Sequence, residues 1–139
     1  MELLIHNEAE MEALGARLAV QYPTGIIYLK GELGAGKTTL VRGWLRALGH
    51  KGKVKSPTYT LIEPYELAGH HIYHFDLYRL TDPQELENIG ARDYFLPDSI
   101  CLIEWPERGA PLLPPGHLII QIHHQDHQRR VVVGNASLC

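Results

Sequence analysis

A chain of 139 residues, 45% hydrophobic and 21% charged, is long enough for one globular domain with a buried core, which we expect to span residues 1–139. A formal net charge of −3 argues against a protein that grips nucleic acid alone, because phosphate contacts require a basic surface. No apolar run approaches the roughly 20 residues of a membrane span, and the first residues lack the pattern of a signal peptide, so we expect a cytoplasmic protein without a membrane partner.

The first part of the chain predicts an edge strand, an amphipathic helix and a buried strand, in that order. Residues 3–5 form a short apolar run, which is typical of an edge strand. Residues 8–22 carry apolar side chains at helical spacing, and Pro23 ends the pattern. Residues 25–30 form a continuous apolar strand that runs directly into a glycine-rich loop.

That loop carries the most informative motif of the chain. Residues 31–38, Gly-Glu-Leu-Gly-Ala-Gly-Lys-Thr, match G-x-x-x-x-G-K-[ST], the phosphate-binding loop of P-loop nucleotide hydrolases. Its glycines allow turns in which successive N–H groups point at one anion. Lys37 supplies a cation for the β- and γ-phosphates, and the Thr38 hydroxyl is a ligand for Mg²⁺. The loop residues expected to contact a nucleoside triphosphate are Leu33, Gly34, Ala35, Gly36, Lys37 and Thr38.

The residues after the loop support this interpretation. Residues 38–48 predict a helix that ends at Gly49, and its positive N-terminal end would lie beneath the phosphates. The alternative, a flexible glycine turn with a solvated lysine, accounts for neither the strand before the loop nor the helix after it. No guanine-reading N-K-x-D motif is present, which favours ATP as the nucleotide.

The middle of the chain predicts a hairpin and a short helix. Residues 58–66 and 70–76 are rich in β-formers, and an Ala-Gly pair between them is typical of a turn. Residues 83–89 predict a short helix with proline at its first position and Asp82 as the N-cap.

The last third predicts a buried strand at 99–104 and a second hairpin from 117–123 and 129–133. Buried apolar strands on both sides of crossover helices therefore coexist with alternating hairpins. This combination predicts an α/β chain with a three-layer, P-loop NTPase-like fold, in which a mixed sheet carries antiparallel hairpin additions.

Glu104 is the predicted partner carboxylate for the metal. A P-loop needs an acid at the end of a neighbouring apolar strand, and four apolar residues precede Glu104. This resembles a Walker B pattern with Glu in place of Asp. The alternative is an acid that ends a strand for solubility. The sequence places Mg²⁺ between Thr38 and Glu104.

Two further candidates lie in the middle of the chain. Asp76 ends the strand at 70–76 and could orient or deprotonate the attacking water, or form a turn paired with Arg79. Residues 55–60 lie where nucleotide-sensing switch loops occur, so a threonine there could contact the γ-phosphate or Mg²⁺. Their alternative role is an ordinary strand entry.

The nine histidines invite a metal-site interpretation, which we do not adopt. No cysteine or H-x-x-x-H helix accompanies them. His71 and His74 are separated by an odd step, so in a strand they face opposite sides of a sheet. Dispersed surface histidines are the favoured interpretation.

At this point the chain resembles a known family. The segments GELGAGKTTLVRG, VKSPTYTLIEPY, HFDLYRL and ICLIEWPE, in that order, resemble the bacterial TsaE (YjeE) family, small P-loop ATPases of tRNA threonylcarbamoyl-adenosine biosynthesis. The resemblance runs from about Gly25 to Glu107, which is most of the chain. The resemblance fades after Pro114, so no function is inferred for the residues from His117 onward.

The resemblance implies roles for several residues. Lys37 and Thr38 match the phosphate and Mg²⁺ ligands, and Thr39 lies beside them. Asp76 matches an acid proposed to assist hydrolysis, and Glu104 matches the second metal ligand. Lys37, Asp76 and Glu104 are therefore the expected catalytic set.

Three more positions are assigned to the nucleotide by the resemblance alone. Thr60 matches the switch-like threonine of the SPT-x-T block. Trp105 matches an aromatic residue near the nucleotide, and its alternative role is core packing. Glu8 falls where the family's N-terminal segment approaches the nucleotide.

The resemblance also implies partners. TsaD and TsaB transfer threonylcarbamoyl from its adenylate to the adenosine beside the tRNA anticodon, and the TsaE family supports their turnover through ATP. The chain would then meet tRNA only through that complex. Two other functions stay open: a small-molecule P-loop kinase, although no arginine-rich lid is visible, and a nucleotide-gated binding module whose hydrolysis is incidental.

Overall fold

The computed structural model describes residues 1–54, 57, 60–67 and 69–135. Within these residues one mixed sheet of seven strands carries three α-helices and two 3₁₀ turns. The elements, in chain order, are β1 (Glu2–Ile5), α1 (Glu8–Gln21), β2 (Gly25–Gly31), α2 (Lys37–Ala47), β3 (Ile62–Leu67), β4 (His70–Asp76), α3 (Gln84–Asn88), a 3₁₀ turn (Ala91–Tyr94), β5 (Ser99–Glu104), a second 3₁₀ turn (Pro106–Arg108), β6 (Leu118–Gln125) and β7 (Gln128–Gly134).

The sheet has the order β1-β7-β6-β2-β5-β4-β3. The central strands β6, β2, β5 and β4 are parallel to one another, whereas β3 and β7 run antiparallel to their neighbours at the two sides. The parallel strands therefore all end at one edge. In open α/β sheets ligands bind at this carboxyl edge, and here the P-loop leaves it from β2.

Two apolar clusters cover the two faces of the sheet, so the protein has three layers. On one face α1 and α2 pack against alternate strand residues such as Ile27, Leu29 and Ile100. On the other face α3 and the 3₁₀ turns cover residues of the opposite parity, such as Ile26 and Ile103. The buried strands are apolar on both faces because helices or turns cover both, as the sequence predicted.

Helices α1 and α2 approach closely because glycine occupies the contact on each. A Cβ atom at Gly43 would lie 2.0 Å from the Glu12 carbonyl oxygen, and one at Gly15 would lie 2.1 Å from the Leu40 carbonyl oxygen. Neither position has room for a larger residue. This contact sets the position of α2 relative to α1 and the sheet, and therefore also the position of the P-loop, which leads into α2.

The predicted elements are present, with shifted ends. The first hairpin strand begins at Ile62 rather than at 58, because Leu61 has φ 67° and leaves the extended conformation. Thr58 and Tyr59 lie outside the described residues. Helix α3 begins at Gln84, so Pro83 is its N-cap residue and not, as predicted, its first helical residue. The Asp82 carboxylate nevertheless accepts the N–H of Gln84 at 2.9 Å.

Candidate functional site

The P-loop joins the end of β2 to the start of α2. Its N-cap residue, Gly36, has φ 113°, a conformation that residues with a Cβ rarely adopt. Because glycine has no side chain to cap the helix, the first N–H groups of α2 remain open to a ligand. The positive end of the α2 dipole points in the same direction, so this corner attracts an anion.

Lys37 is the first residue of α2, and its side chain lies inside the loop with only 5% of its surface exposed. Its ammonium donates to the carbonyl oxygen of Gly31 and, at 3.0 Å, to that of Glu32. It also lies 4.5 Å from the centroid of the Trp105 ring. Burial lowers the pKa of Lys37, although the neighbouring Glu104 and Asp76 carboxylates favour its charged form.

Thr38 and Glu104, the two residues predicted to hold Mg²⁺, are in contact. The Thr38 Oγ1 donates to Glu104 Oε2 at 3.3 Å, although 66 residues separate them in the chain. Parallel pairing of β2 and β5 aligns Leu29 with Glu104, which brings the carboxylate to the base of the P-loop. Glu104 is only 3% exposed, and a buried carboxylate requires a compensating cation or hydrogen bonds.

Asp76 lies beside Glu104 at the end of the neighbouring strand, because the parallel register of β4 and β5 pairs the two residues. Its carboxylate accepts the Tyr78 N–H at 3.1 Å. Burial, and then the Glu104 charge, raise the pKa of Asp76 above its ordinary value of 3.8. A half-buried carboxylate with a raised pKa is suited to accept a proton, so the geometry is compatible with the predicted role.

His74 is a site residue that the sequence analysis missed. The expectation of dispersed surface histidines is wrong for it, because its side chain is completely buried and its Nε2 lies 2.6 Å from Glu104 Oε2. The signal was available in the alternation of β4, since His74 shares its side of the strand with Asp76 and with Ile72, a residue of the α1–α2 core. His71 faces the opposite side and is exposed, as the odd step predicted.

Trp105 immediately follows β5 and has φ 57°, which places its ring over the P-loop lysine. The ring centroid lies 5.0 Å from that of Tyr78, and the Arg108 guanidinium lies 5.5 Å from the indole centroid. Trp105 also packs against the second apolar cluster. The nucleotide-side and core-packing roles therefore occur in the same residue.

A cleft of about 280 Å³ collects most of the predicted nucleotide-binding residues. Its lining is Glu8, Leu33, Gly34, Ala35, Gly36, Lys37, Thr38, Thr39, Glu104 and Trp105. Among the described residues, Thr60 is the predicted nucleotide contact that does not line this cleft, and it is exposed in the turn before β3. Lys55, Ser56, Thr58 and Tyr59 of the predicted switch segment lie outside the described residues.

A second cleft of about 260 Å³ adjoins the first, and both are lined by Glu8, Gly34 and Thr39. Its outer wall includes Arg129 of β7, whose Nε donates to the Ala35 carbonyl oxygen at 3.1 Å. No function was inferred for the residues from His117 onward, and the structure shows that one of them, Arg129 of β7, contacts the P-loop. No sequence motif marks the contact, since it depends on the position of β7 in the sheet.

None of the helices in the described part of the chain is long and apolar enough to cross a membrane.

Comparison with known proteins extends the similarity beyond the four motifs. The family model for "Threonylcarbamoyl adenosine biosynthesis protein TsaE" matches residues 5–132. A tRNA threonylcarbamoyladenosine biosynthesis protein TsaE from Haemophilus influenzae is 59% identical over 106 residues, which cover 76% of this chain and 67% of the relative. A protein of the same name from Bacillus subtilis is 36% identical over 132 residues, covering 94% and 82% of the two chains.

A solved structure has the same fold. The crystal structure of Bacillus subtilis YdiB superposes on this chain with a TM-score of 0.82 and 29% identity, covering 98% of this chain and 85% of the other. The three-layer α/β fold predicted from the sequence is therefore confirmed. The family match also includes β6 and most of β7, beyond the point at which the motifs faded.

Proposed function

This chain belongs to the family of threonylcarbamoyl adenosine biosynthesis proteins TsaE, and from that premise we propose that it binds ATP with Mg²⁺ in the P-loop cleft and hydrolyses it in support of tRNA threonylcarbamoyladenosine formation. The resemblance predicted from the sequence motifs is confirmed. The observation that carries the proposal is the convergence of Lys37, Thr38 and Glu104 at one end of a cleft formed by the P-loop.

The phosphates occupy the P-loop end of the cleft. The open N–H groups at the start of α2 donate to phosphate oxygens, and the α2 dipole favours their charge. The Lys37 ammonium already lies inside the loop. When the nucleotide binds, the ammonium's hydrogen bonds to backbone carbonyl oxygens are replaced by hydrogen bonds to the more strongly charged β- and γ-phosphate oxygens. We expect phosphate binding to depend strongly on Lys37 because its side chain is buried, and a desolvated cation interacts more strongly with an anion than an exposed one.

The donor set fits Mg²⁺. The Thr38 hydroxyl and the Glu104 carboxylate are hard oxygen ligands, and Mg²⁺ is usually held by one or two protein oxygens together with substrate phosphates. The ion, when bound, neutralises charge on the β- and γ-phosphates. Three carboxylates, those of Glu104, Asp76 and the exposed Glu107, act on the one Lys37 ammonium, and this excess of negative charge favours a dication.

Asp76 is the proposed proton acceptor for the attacking water. Its raised pKa makes it a better base than an ordinary surface aspartate, and its Tyr78 N–H bond holds the carboxylate in one orientation. The Trp105 ring covers Lys37 and excludes water from that side of the cleft.

We assign the nucleoside to the adjoining second cleft, because Gly34 and Gly36 of the P-loop line both clefts.

The partners are those of the family: TsaD and TsaB perform the transfer, and this chain supports their turnover in the cytoplasm. Its net charge of −3 is compatible with contact to tRNA only through the complex.

The kinase alternative has one feature in its favour. A cleft of about 500 Å³ lies on the far side of Trp105, lined in part by Glu32, Glu107 and His123, and an acceptor molecule could occupy it. Incubation of ATP with candidate small molecules would produce a phosphorylated product under that hypothesis. Release of inorganic phosphate without such a product favours the ATPase.

The central test measures ATP affinity by calorimetry with Mg²⁺ and with EDTA, for the wild type, Glu104→Ala and Asp98→Ala. Asp98 is an exposed acid that lies just before the same strand, β5, and is the control. We expect Glu104→Ala to weaken Mg²⁺-dependent binding and hydrolysis but not metal-free binding, and Asp98→Ala to behave like the wild type. Equal losses with and without Mg²⁺ would indicate a structural role for Glu104.

The function itself is tested by reconstituting tRNA modification with TsaD and TsaB, with and without this chain. We expect modification over many turnovers to require the chain and ATP. A non-hydrolysable analogue separates the remaining alternative, because full support of turnover by the analogue would identify a nucleotide-gated binding module instead of an ATPase.

A further inference from the structure

We propose that His74 is a positioning residue for the metal site, which holds the Glu104 carboxylate in the orientation that it needs to act with Thr38. This inference rests on the proposed function and deepens it, because it adds a supporting group to the Mg²⁺-binding pair. His74 lies in β4, two residues before Asp76, and does not itself line the nucleotide cleft, whereas its partner Glu104 does.

The contact is short and fully buried. His74 Nε2 lies 2.6 Å from Glu104 Oε2, and the two side chains are 0% and 4% exposed. In the sheet register His74 pairs with Leu102, so Glu104 lies one diagonal step further along the neighbouring strand. The imidazole therefore reaches Glu104 from within the sheet, whereas Thr38 reaches the same oxygen from α2.

The second ring nitrogen identifies the direction of the hydrogen bond. His74 Nδ1 is buried and has no hydrogen-bond partner among the described residues. A proton on Nδ1 would leave a buried N–H unsatisfied and would turn the Nε2 lone pair toward a carboxylate oxygen, and both arrangements are unfavourable. A proton on Nε2 avoids both costs. We therefore assign the Nε2–H tautomer, in which His74 donates to Glu104.

This bond restricts the carboxylate. Both donors, His74 Nε2 and Thr38 Oγ1, point to Oε2, and the Thr38 contact is the longer one at 3.3 Å. When the Thr38 hydroxyl takes a metal ion, His74 still holds Glu104 in place. Groups that orient a metal-binding carboxylate in this way typically contribute about 10–100-fold to metal affinity.

The test uses two polar variants that differ in reach. The Gln side chain places its amide N–H near the position of Nε2, whereas the shorter Asn places it near Nδ1 and cannot reach Glu104. We therefore compare His74→Gln with His74→Asn. The matched control is His71→Asn, because His71 lies on the same strand with its side chain exposed.

The readouts are Mn²⁺ binding by electron paramagnetic resonance in the presence of an ATP analogue, and analogue affinity in EDTA by calorimetry. We expect His74→Asn to weaken Mn²⁺ binding about 10–100-fold without changing metal-free affinity. His74→Gln should recover most of the loss, and His71→Asn should match the wild type. Equal Mn²⁺ binding by the wild type and His74→Asn would overturn the inference, as would equal losses with and without metal.

A measurement on the unmodified protein covers the case in which the variants do not fold. Long-range ¹H–¹⁵N correlation spectra of the histidine rings report the tautomer of His74 directly, and we expect a proton on Nε2. The neutral tautomer with its proton on Nδ1 and none on Nε2 would overturn the inference, because it could not donate to Glu104. Absence of metal-dependent nucleotide binding in the wild type would overturn the proposed function itself, so the two failures are distinguishable.

Discussion

At the scale of single residues, the site is defined by three charges that burial makes interdependent. The Lys37 ammonium, the Glu104 carboxylate and the Asp76 carboxylate meet at the carboxyl edge of the sheet. Burial lowers the pKa of Lys37 and raises that of Asp76, so both groups resist their charged forms in the folded protein. Such opposed shifts are typical of functional sites, because a stable core would not retain these charges.

Lys37→Met should remove nucleotide binding without unfolding the protein. A charge-assisted hydrogen bond contributes about 1.5–3 kcal/mol, so we expect ATP affinity to fall at least tenfold. Because burial lowers the pKa of Lys37, its charge costs stability at every pH below that pKa, and the variant should melt no lower than the wild type at pH 7. Calorimetry and thermal melting measure both effects, with exposed Lys53→Met as the control. Unchanged ATP affinity in Lys37→Met would refute the P-loop assignment.

Asp76→Asn should stabilise the protein in a pH-dependent way while it abolishes hydrolysis. Because the folded pKa of Asp76 lies above its ordinary 3.8, the wild type loses stability as pH rises from about 3.8 through the raised pKa. Asparagine has no such loss. We therefore expect the variant to melt a few degrees higher at pH 7, and this difference to disappear below about pH 3.8.

Thermal melts between pH 3 and 8, with exposed Asp98→Asn as the control, test this expectation. A melting difference that is the same at every pH would show that the Asp76 charge is not its source. Wild-type hydrolysis by Asp76→Asn would contradict the proposed role in activating water.

At the scale of elements, the site depends on how closely α2 approaches α1 and the sheet. Lys37 and Thr38 are the first two residues of α2, so any shift of this helix moves both groups relative to Glu104. The approach is possible because Gly43 and Gly15 leave room for backbone atoms at the crossing of the two helices. The glycines of the P-loop are recognisable from a motif, whereas these two serve packing.

Gly43→Ala should therefore damage stability and function together. The added methyl would lie 2.0 Å from the Glu12 carbonyl oxygen, so the helices must separate. Overpacking of this kind costs typically about 1–3 kcal/mol, which a lower melting temperature would show. We also expect weaker Mg²⁺-dependent ATP binding. Ala13→Leu, an enlargement at an exposed position of α1, should change neither quantity. An unchanged melting temperature for Gly43→Ala would show that the helices have room to accommodate it.

At the scale of the whole molecule, the sheet brings residues from near the start and near the end of the segment that matches the family, residues 5–132, to the P-loop. Glu8, at the start of α1, lines the nucleotide cleft, and Arg129, in the last strand, bonds the Gly34 and Ala35 carbonyl oxygens. Few of the described arginines are placed to contact the γ-phosphate. Arg42 pairs with Glu12, and Arg92 pairs with Glu87, away from the cleft. Arg108 contacts the Trp105 ring, which Lys37 also contacts.

ATP hydrolysis by the isolated chain should therefore be slow and should rise when TsaD and TsaB are added. The P-loop and Lys37 stabilise phosphates in the ground state, but the transition state often requires an additional arginine, worth about 10³–10⁵ in rate. A partner could supply that cation. Steady-state phosphate release with and without the pair measures the effect, and full activity of the chain alone would contradict the prediction.

Arg108→Ala separates a partner-supplied cation from one within this chain. If the partner supplies the arginine, the variant should retain the stimulated rate. If stimulation is lost in Arg108→Ala while binding of the pair persists, the cation comes from Arg108 itself, repositioned from its contact with Trp105.

The sequence by itself determined the features that depend on local spacing. The P-loop of residues 31–38 requires glycines, a lysine and a threonine at fixed steps, and residues 33–38 of this loop line one cleft. A continuous apolar run followed by an acid identified Glu104, and Asp76 was recognised as the acid at the end of the preceding strand. That the two carboxylates lie side by side follows from the parallel register of β4 and β5, which the structure shows.

Only the tertiary structure decided which residues touch across the sheet. The bond from His74 to Glu104, the contact of Arg129 with the P-loop and the approach of Gly43 to Glu12 join residues distant in the chain. Periodicity states which face a side chain occupies, but not which strand or helix lies next to it. That neighbour is set by the order β1-β7-β6-β2-β5-β4-β3, which results from packing both faces at once and leaves no local pattern in the sequence.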